Sequence, residues 1–358
     1  MPRQLSHLLA PGLWRGAGKL VLALGFGTFG GWLAHLAGLP LAWLLGALVA
    51  AILLASAGLA VDVRGARRYA LIVLGLGLGQ SFTAPILASL VGLFPLILIC
   101  AVLTIASGAL GAGIYRRQAG LDPKTAFFCG VPGGVVLMAI HAERAGLPEH
   151  EITLAQTVRL LVVVLLYPPL IKLLVPHEPA DILSVGASIS SWSWLLPLWL
   201  FAGYLAALIG RQLGTPNPWM LAPTLLAIAA SSLGVLPTQM PQPMIIAGQI
   251  VLGLSLGVQV TPQFLRQAGP LFVASVTSSL LISAVLIALA FAVYALTELP
   301  LGALLLGLAP GGMPEMAVTA HALGASVPLV LGFHLVRVVV ANFLIEPVWR
   351  LAHRLKLS

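Results

Sequence analysis

The stretch Pro132-Gly133-Gly134 returns 178 residues later as Pro310-Gly311-Gly312, and it does not return alone. At the same spacing Met138 returns as Met316, Ala139 as Ala317, Gly146 as Gly324, Arg159 as Arg337 and Pro169 as Pro347. Upstream, Leu74-Gly75-Leu76 and Gly79 return as Leu252-Gly253-Leu254 and Gly257. "GLPLAW" at 38–43 pairs with "GTPNPW" at 214–219, now 176 residues on. Landmarks kept in one order at one spacing mark a chain written twice. The halves run over 17–175 and 191–358, with a short segment at 1–16 and a linker at 176–190.

The solvent for these halves is lipid. Only 8% of the residues are charged and 59% are hydrophobic. A soluble domain carries about 25% charged residues, so this chain cannot cover a water-facing surface. The net charge of +8 does not point to nucleic acid, because the 18 basic residues are scattered and form no stripe or arm. The apolar run from residue 17 is too long for a signal segment and reads as a first span. Cys100 and Cys129 sit in apolar surroundings and lack metal-ligand spacing. Phosphate loops, zinc-protease motifs and nucleophile elbows are missing, so neither enzyme chemistry, cofactor nor metal is expected.

Apolar runs place spans at about 17–38, 40–59, 67–83, 90–115 and 152–175, then 191–212, 216–235, 243–261, 268–297 and 327–350. The segments 122–146 and 303–323 are shorter and broken by Pro-Gly-Gly, which predicts re-entrant pieces. Irregular backbone at that depth needs protein or a water-filled cavity to satisfy it. Five spans per half is an odd number, so the second half should be inverted relative to the first. Basic residues agree: Arg15, Lys19, Arg64, Arg67, Arg68, Arg116, Arg117, Lys124, Arg211, Arg266, Arg350 and Arg354 then share one side, opposite Glu178, Asp181 and Glu298. By the positive-inside rule that side is the cytoplasm, which also holds both termini. The predicted fold is therefore all-α and polytopic, two inverted repeats of about five helices each, in the bacterial inner membrane.

Inverted repeats with broken helices are an architecture of secondary transporters, whose sites lie near the midplane between the repeats. A half-helix beginning after Pro-Gly-Gly offers unpaired N–H groups and a positive dipole end to an anion. Gly133, Gly134, Gly311 and Gly312 would let a ligand approach the backbone, although a plain turn would also use them. Arg159 and Arg337 lie deep in apolar helices, where an unpaired guanidinium costs several kcal/mol. They read as binding groups for an anion, or else as struts, with Glu346 or a loop carbonyl holding Arg337. Glu315 and His334, beside the second break, are expected substrate-binding and proton-carrying groups. Glu143, Glu149 and Glu151 fit a wet loop. Trp43 and Trp219 fit the membrane interface, and the glycine runs at 74–79 and 252–257 fit close helix packing.

With the paired "P-x-x-W", "PGG…MA" and "VR" landmarks in view, the whole chain resembles the AbrB-type membrane family, defined by an AbrB duplication. The resemblance implies the labels its members carry, regulator or ammonia monooxygenase. Residues here supply no metal cluster for an oxygenase and no strand-swapped DNA-binding module. The reading that follows is a transporter of a small anionic metabolite coupled to protons or sodium. The alternative is a membrane-embedded sensor that influences gene expression without touching nucleic acid. A homodimer is compatible with either. A polar cavity at the repeat interface, open to one face, would favour the transporter.

Overall fold

The computed structural model describes residues 11–39, 41–59, 63–175, 193–215, 217–259 and 262–354. The expected linker at 176–190, with Glu178 and Asp181, lies outside them, as do residues 1–10. Every element among the described residues is helical: α1 (Pro11–Leu36), α2 (Ala42–Ser56), α3 (Arg64–Gly79), α4 (Ala84–Gly92), α5 (Phe94–Ala106), α6 (Gly108–Ala119), α7 (Pro123–Gly130), α8 (Val135–Arg144) and α9 (Glu149–Leu174). There follow α10 (Leu196–Gln212), α11 (Pro218–Ser232), α12 (Gln242–Gly257), α13 (Pro262–Leu296), α14 (Leu301–Leu308), α15 (Met313–Leu323) and α16 (Val327–Arg354).

Five described segments are long and apolar enough to cross a membrane: Lys19–Leu36, Phe94–Ala119, Glu149–Leu174, Gly269–Leu296 and Val327–Leu351. A sixth results if α3 and α4, bent by 90° at their junction, count as one. Ten full-length spans are not what the structure has. Helices α2 and α11 contain 15 residues and α12 contains 16. At 1.5 Å per residue they reach only about 23 Å, short of the ~30 Å hydrocarbon layer. Their packing explains how they stand: α2 lies on α12, and α11 on α3, so each covers the other's backbone.

Glycines set how closely they approach. A Cβ on Gly253 or Gly257 of α12 would strike the carbonyls of Leu44 or Leu48 on α2. One on Gly75 or Gly79 of α3 would strike those of Met220 or Thr224 on α11. The glycine runs are therefore packing surfaces, as small residues commonly are between membrane helices.

Sequence patterning also missed a turn. Residues 84–92 form α4, started by Pro85, where a connection was expected over 84–89 and the next span from 90. The second half makes the same move differently: α13 kinks at Gly269, whose φ is +37°, immediately before Pro270.

The molecule shows apolar side chains on its outside and keeps a few polar groups within an apolar core. Phe26, Phe29, Leu53, Val91, Ile99, Leu198, Phe201 and Phe343 are exposed, whereas Gln156, Arg159, Glu315, His334 and Arg337 are buried. That distribution suits a lipid solvent.

Asp122 starts the first broken segment. Its carboxylate accepts from the backbone N–H groups of Lys124 (3.1 Å) and Thr125 (3.0 Å), an N-cap for α7. Partial burial works to raise its pKa, but the bonds from the Thr125 side chain and these N–H groups outweigh it, holding the carboxyl below its ordinary range. A depressed pKa means the cap contributes above the ordinary carboxylate range and is lost as acid reaches the lowered value. Asp122→Ala should cost about 1 kcal/mol, read as a lower Tm in detergent at neutral pH, and the difference should vanish in strong acid.

Candidate functional site at the two Pro-Gly-Gly breaks

Each break interrupts a helix and frees carbonyls at the end of its first piece, where the helix dipole is negative. The chain satisfies these carbonyls from the long helix that follows. Gln156 of α9 donates through Nε2 to Phe128 O (3.1 Å), Cys129 O (3.2 Å) and Val131 O (3.0 Å). Arg159, one turn on, donates through Nη1 to Val131 O (2.8 Å) and through Nη2 to Gln156 Oε1 (2.6 Å).

In the second half His334 and Arg337 of α16 take the corresponding parts. Arg337 donates through Nη1 to Ala309 O (2.6 Å) and through Nη2 to Gly311 O (2.7 Å). Nη2 also donates to His334 Nδ1 (2.9 Å). A guanidinium cannot accept, so Nδ1 must be bare and the proton sits on Nε2, which donates to Leu306 O (3.0 Å). His334 is a neutral imidazole with both nitrogens engaged.

The two systems meet. Arg159 Nε donates to Pro310 O (2.9 Å), across to the second break. Two guanidinium groups thus grip three consecutive carbonyls, 309 to 311, which span no more than about 7 Å of chain. Both arginines are only 4% exposed. The structure brings Arg159, Arg337, His334 and the second Pro-Gly-Gly together, with the first break on the far side of Arg159. The partners are those of the strut alternative in its loop-carbonyl form. The forks hold carbonyls that follow the C-terminal ends of α7 and α14, and those of Pro310 and Gly311 come just before the N-cap of α15. Glu346 does not hold Arg337 but pairs with Lys124 at 3.3 Å.

Two buried atoms at the second break are left over. Arg337 Nε lacks an acceptor and Glu315 Oε1 lacks a donor. Glu315 is 1% exposed at the N-terminus of α15.

The glycines are not equivalent. Gly134 has φ +85° and ψ 145°, a region open essentially to glycine alone. Gly312 is ordinary extended backbone, but a Cβ there would collide with the Glu315 carboxylate. Gly133 and Gly311 lie under Met138 and Met316, which explains why a Met follows each break at one spacing. Gly134→Val should cost about 1–3 kcal/mol of backbone strain. Gly312→Val should displace Glu315. Both variants should reach the membrane at normal levels yet lose function; normal activity in the double variant would make the breaks ordinary turns.

Sequence reading missed a line of buried hydroxyls on α13: Ser275, Ser278, Ser279 and Ser283, each no more than 1% exposed. Their spacing puts them on one helix face, and the residues 178 positions earlier are Ile97, Cys100, Ala101 and Ile105. The signal was the contrast between the halves. Glu143 is exposed near the end of α8, and Glu149, exposed, and Glu151, half-buried, stand in the first turn of α9, so these groups lie on helix ends rather than in the expected loop. Two small cavities of about 10 Å³ each have apolar linings, and one lies between α3, α12 and α15 beside Val318 and His321. Among the described residues no group of three or more His, Cys, Asp or Glu could hold a metal ion.

The family model described as "Transition state regulatory protein AbrB" matches residues 43–353. The "Uncharacterized protein YhjN" of Bacillus subtilis (strain 168) is 27% identical over 354 residues, covering 91% of each chain. A protein of Escherichia coli (strain K12), provisionally named as regulator AbrB, is 23% identical over 300 residues, 84% of this chain and 86% of its own. With the family match running through both breaks and both arginines, this chain belongs to the AbrB family.

Proposed function

We propose that the chain is a secondary transporter of a small anionic metabolite in the bacterial inner membrane, with its site where the two breaks meet. The observation that carries this reading is the convergence of Arg159 and Arg337 on carbonyls 309–311. Two buried cations at one place repel each other, and an anion relieves that repulsion. Arg337 Nε is the donor left for it, and Glu315 Oε1 the acceptor left for a proton or a substrate hydroxyl. Since both nitrogens of His334 hold backbone or Arg337, proton carriage falls to Glu315.

The scaffold for this site is two repeats of opposite orientation. Helices 176–178 residues apart do matching jobs: α2 packs on α12 as α11 packs on α3, and α13 on α9 as α5 on α16. The first broken segment is re-entrant in this reading. Lys124 at the start of α7 reaches Glu346, and His141 near the end of α8 reaches Asn342 (3.2 Å), so both ends lie against the same stretch of α16. The regulator reading rests on the family's name and on no residue described above.

Uptake by proteoliposomes, screened over mono- and dicarboxylates with an imposed pH or sodium gradient, tests the function. An accumulated carboxylate that Arg337→Lys no longer moves is the expected result. Uptake of cations or neutral solutes alone would end the anion reading. For the topology, alkaline phosphatase fused at Ser358 should be inactive, and an active fusion would sink the inversion.

A further inference from the structure

Matching helices of the two halves do not sit in matching places. On α15 Glu315 and Val318 are each 1% exposed, and this face packs on α3. The corresponding positions on α8 are Leu137, half-buried, and Ile140, 40% exposed. Helix α8 packs on α9 and makes no comparable contact with α12, the helix that corresponds to α3. The small cavity left between α15 and α3 holds at most about one water, so that interface is shut.

The charges differ as well. Glu315 lies one turn before Val318 on the α15 helix that packs on α3, and α3 begins with Arg64, Arg67 and Arg68. The residues corresponding to Glu315 and Arg67 are Leu137 and Ile245, so an α8–α12 closure would bring no ionisable group from either position.

We infer that this structure is one of two interconverting states, and that in the other α8 closes on α12 through Ile140 and Leu256, the counterparts of Val318 and Leu78, while α15 leaves α3. This rests on the transporter reading for its purpose, though not for its test. Under the inverted topology α8 faces the cytoplasm and α15 the outside, so the present state is open inward and shut outward. Exchanging the roles of the halves turns the molecule outward without any new fold, and interfaces that are bistable behave this way.

Cysteine pairs in the full chain, in membrane vesicles and with Cys100→Ala and Cys129→Ala as background, decide it. Leu78→Cys with Val318→Cys reports the present state and should crosslink with a short bifunctional maleimide. Ile140→Cys with Leu256→Cys reports the other and should also crosslink, although those helices stand apart here. Glu143→Cys with Leu252→Cys, the counterparts of His321 and Leu74 beside the present cavity, repeats the measurement if either substitution disturbs folding. In a 140/256 protein that also carries His321→Cys, the crosslinked fraction should label at 321 about tenfold faster with N-ethylmaleimide. Failure of both α8–α12 pairs beside a successful 78/318 pair would show a single fixed arrangement. Crosslinking that leaves labelling at 321 unchanged would show that the two sides are uncoupled. Either result overturns the inference. Exchange without uptake of any carboxylate would instead count against the transported anion and leave the two states standing.

Discussion

Arg337→Ala should be the most damaging single substitution in this chain. It strips Ala309 O and Gly311 O of their donors inside the buried core, and it removes the Arg337 donor to His334 Nδ1. A hydrogen bond to a charged group is worth about 1.5–3 kcal/mol, and an abandoned buried carbonyl costs about 1–3 kcal/mol. A combined loss on the order of 3–5 kcal/mol is expected, read as a fall in Tm in detergent together with loss of transport. Arg337→Lys should recover part of the stability and none of the transport. One ammonium cannot reach two carbonyls and an imidazole in the geometry of a planar fork. Arg159→Ala should behave alike through Val131 O, Pro310 O and Gln156 Oε1. If Arg337→Ala leaves Tm unchanged, the carbonyl grip is not what holds the break.

The second large effect separates two neighbours. His334→Leu should destabilise by about 1–3 kcal/mol, since Leu306 O and the Arg337 fork each lose a partner. His334→Gln should be nearly silent. The other half already places Gln156 at that position, donating to carbonyls with its nitrogen and accepting from Arg159 with its oxygen. The same swap reversed, Gln156→His, should also be tolerated. A proton-carrying His334 would behave otherwise: Gln would keep the fold and abolish the pH dependence of uptake. That outcome would move the titrating role from Glu315 to His334.

These contrasts show what the chain discloses before it folds. The depth of Arg159 and Arg337 was legible, because an apolar run measures position along the membrane normal. Their partners were legible only as an alternative, a loop carbonyl, because a sequence does not say which of two helix ends a side chain reaches. The dipole argument pointed to N-termini, while the carbonyls freed by the same breaks lay closer. Glu346, a plausible partner for Arg337 by sequence neighbourhood, sits nine residues further along α16 and meets Lys124 instead. The breaks themselves followed from Pro-Gly-Gly. The brevity of α2, α11 and α12 did not, since flanking apolar residues extend their hydropathy beyond their hydrogen bonding. The α13 serines escaped because each alone is unremarkable on a membrane helix, and only Ile97, Cys100, Ala101 and Ile105 in the other half make them stand out.

The short central helices have an electrical consequence. A membrane potential of 100 mV does about 2.3 kcal/mol of work on each elementary charge that crosses it completely. Where the protein wall is about 23 Å tall rather than ~30 Å, that drop is compressed and the field within it steepened by about a third. An anion passing along that wall would cross the voltage over roughly 23 Å. With the cell interior negative, that field opposes entry of an uncompensated anion and favours its exit. Carrying a proton on Glu315 with each singly charged substrate would cancel the charge and remove the field from the balance.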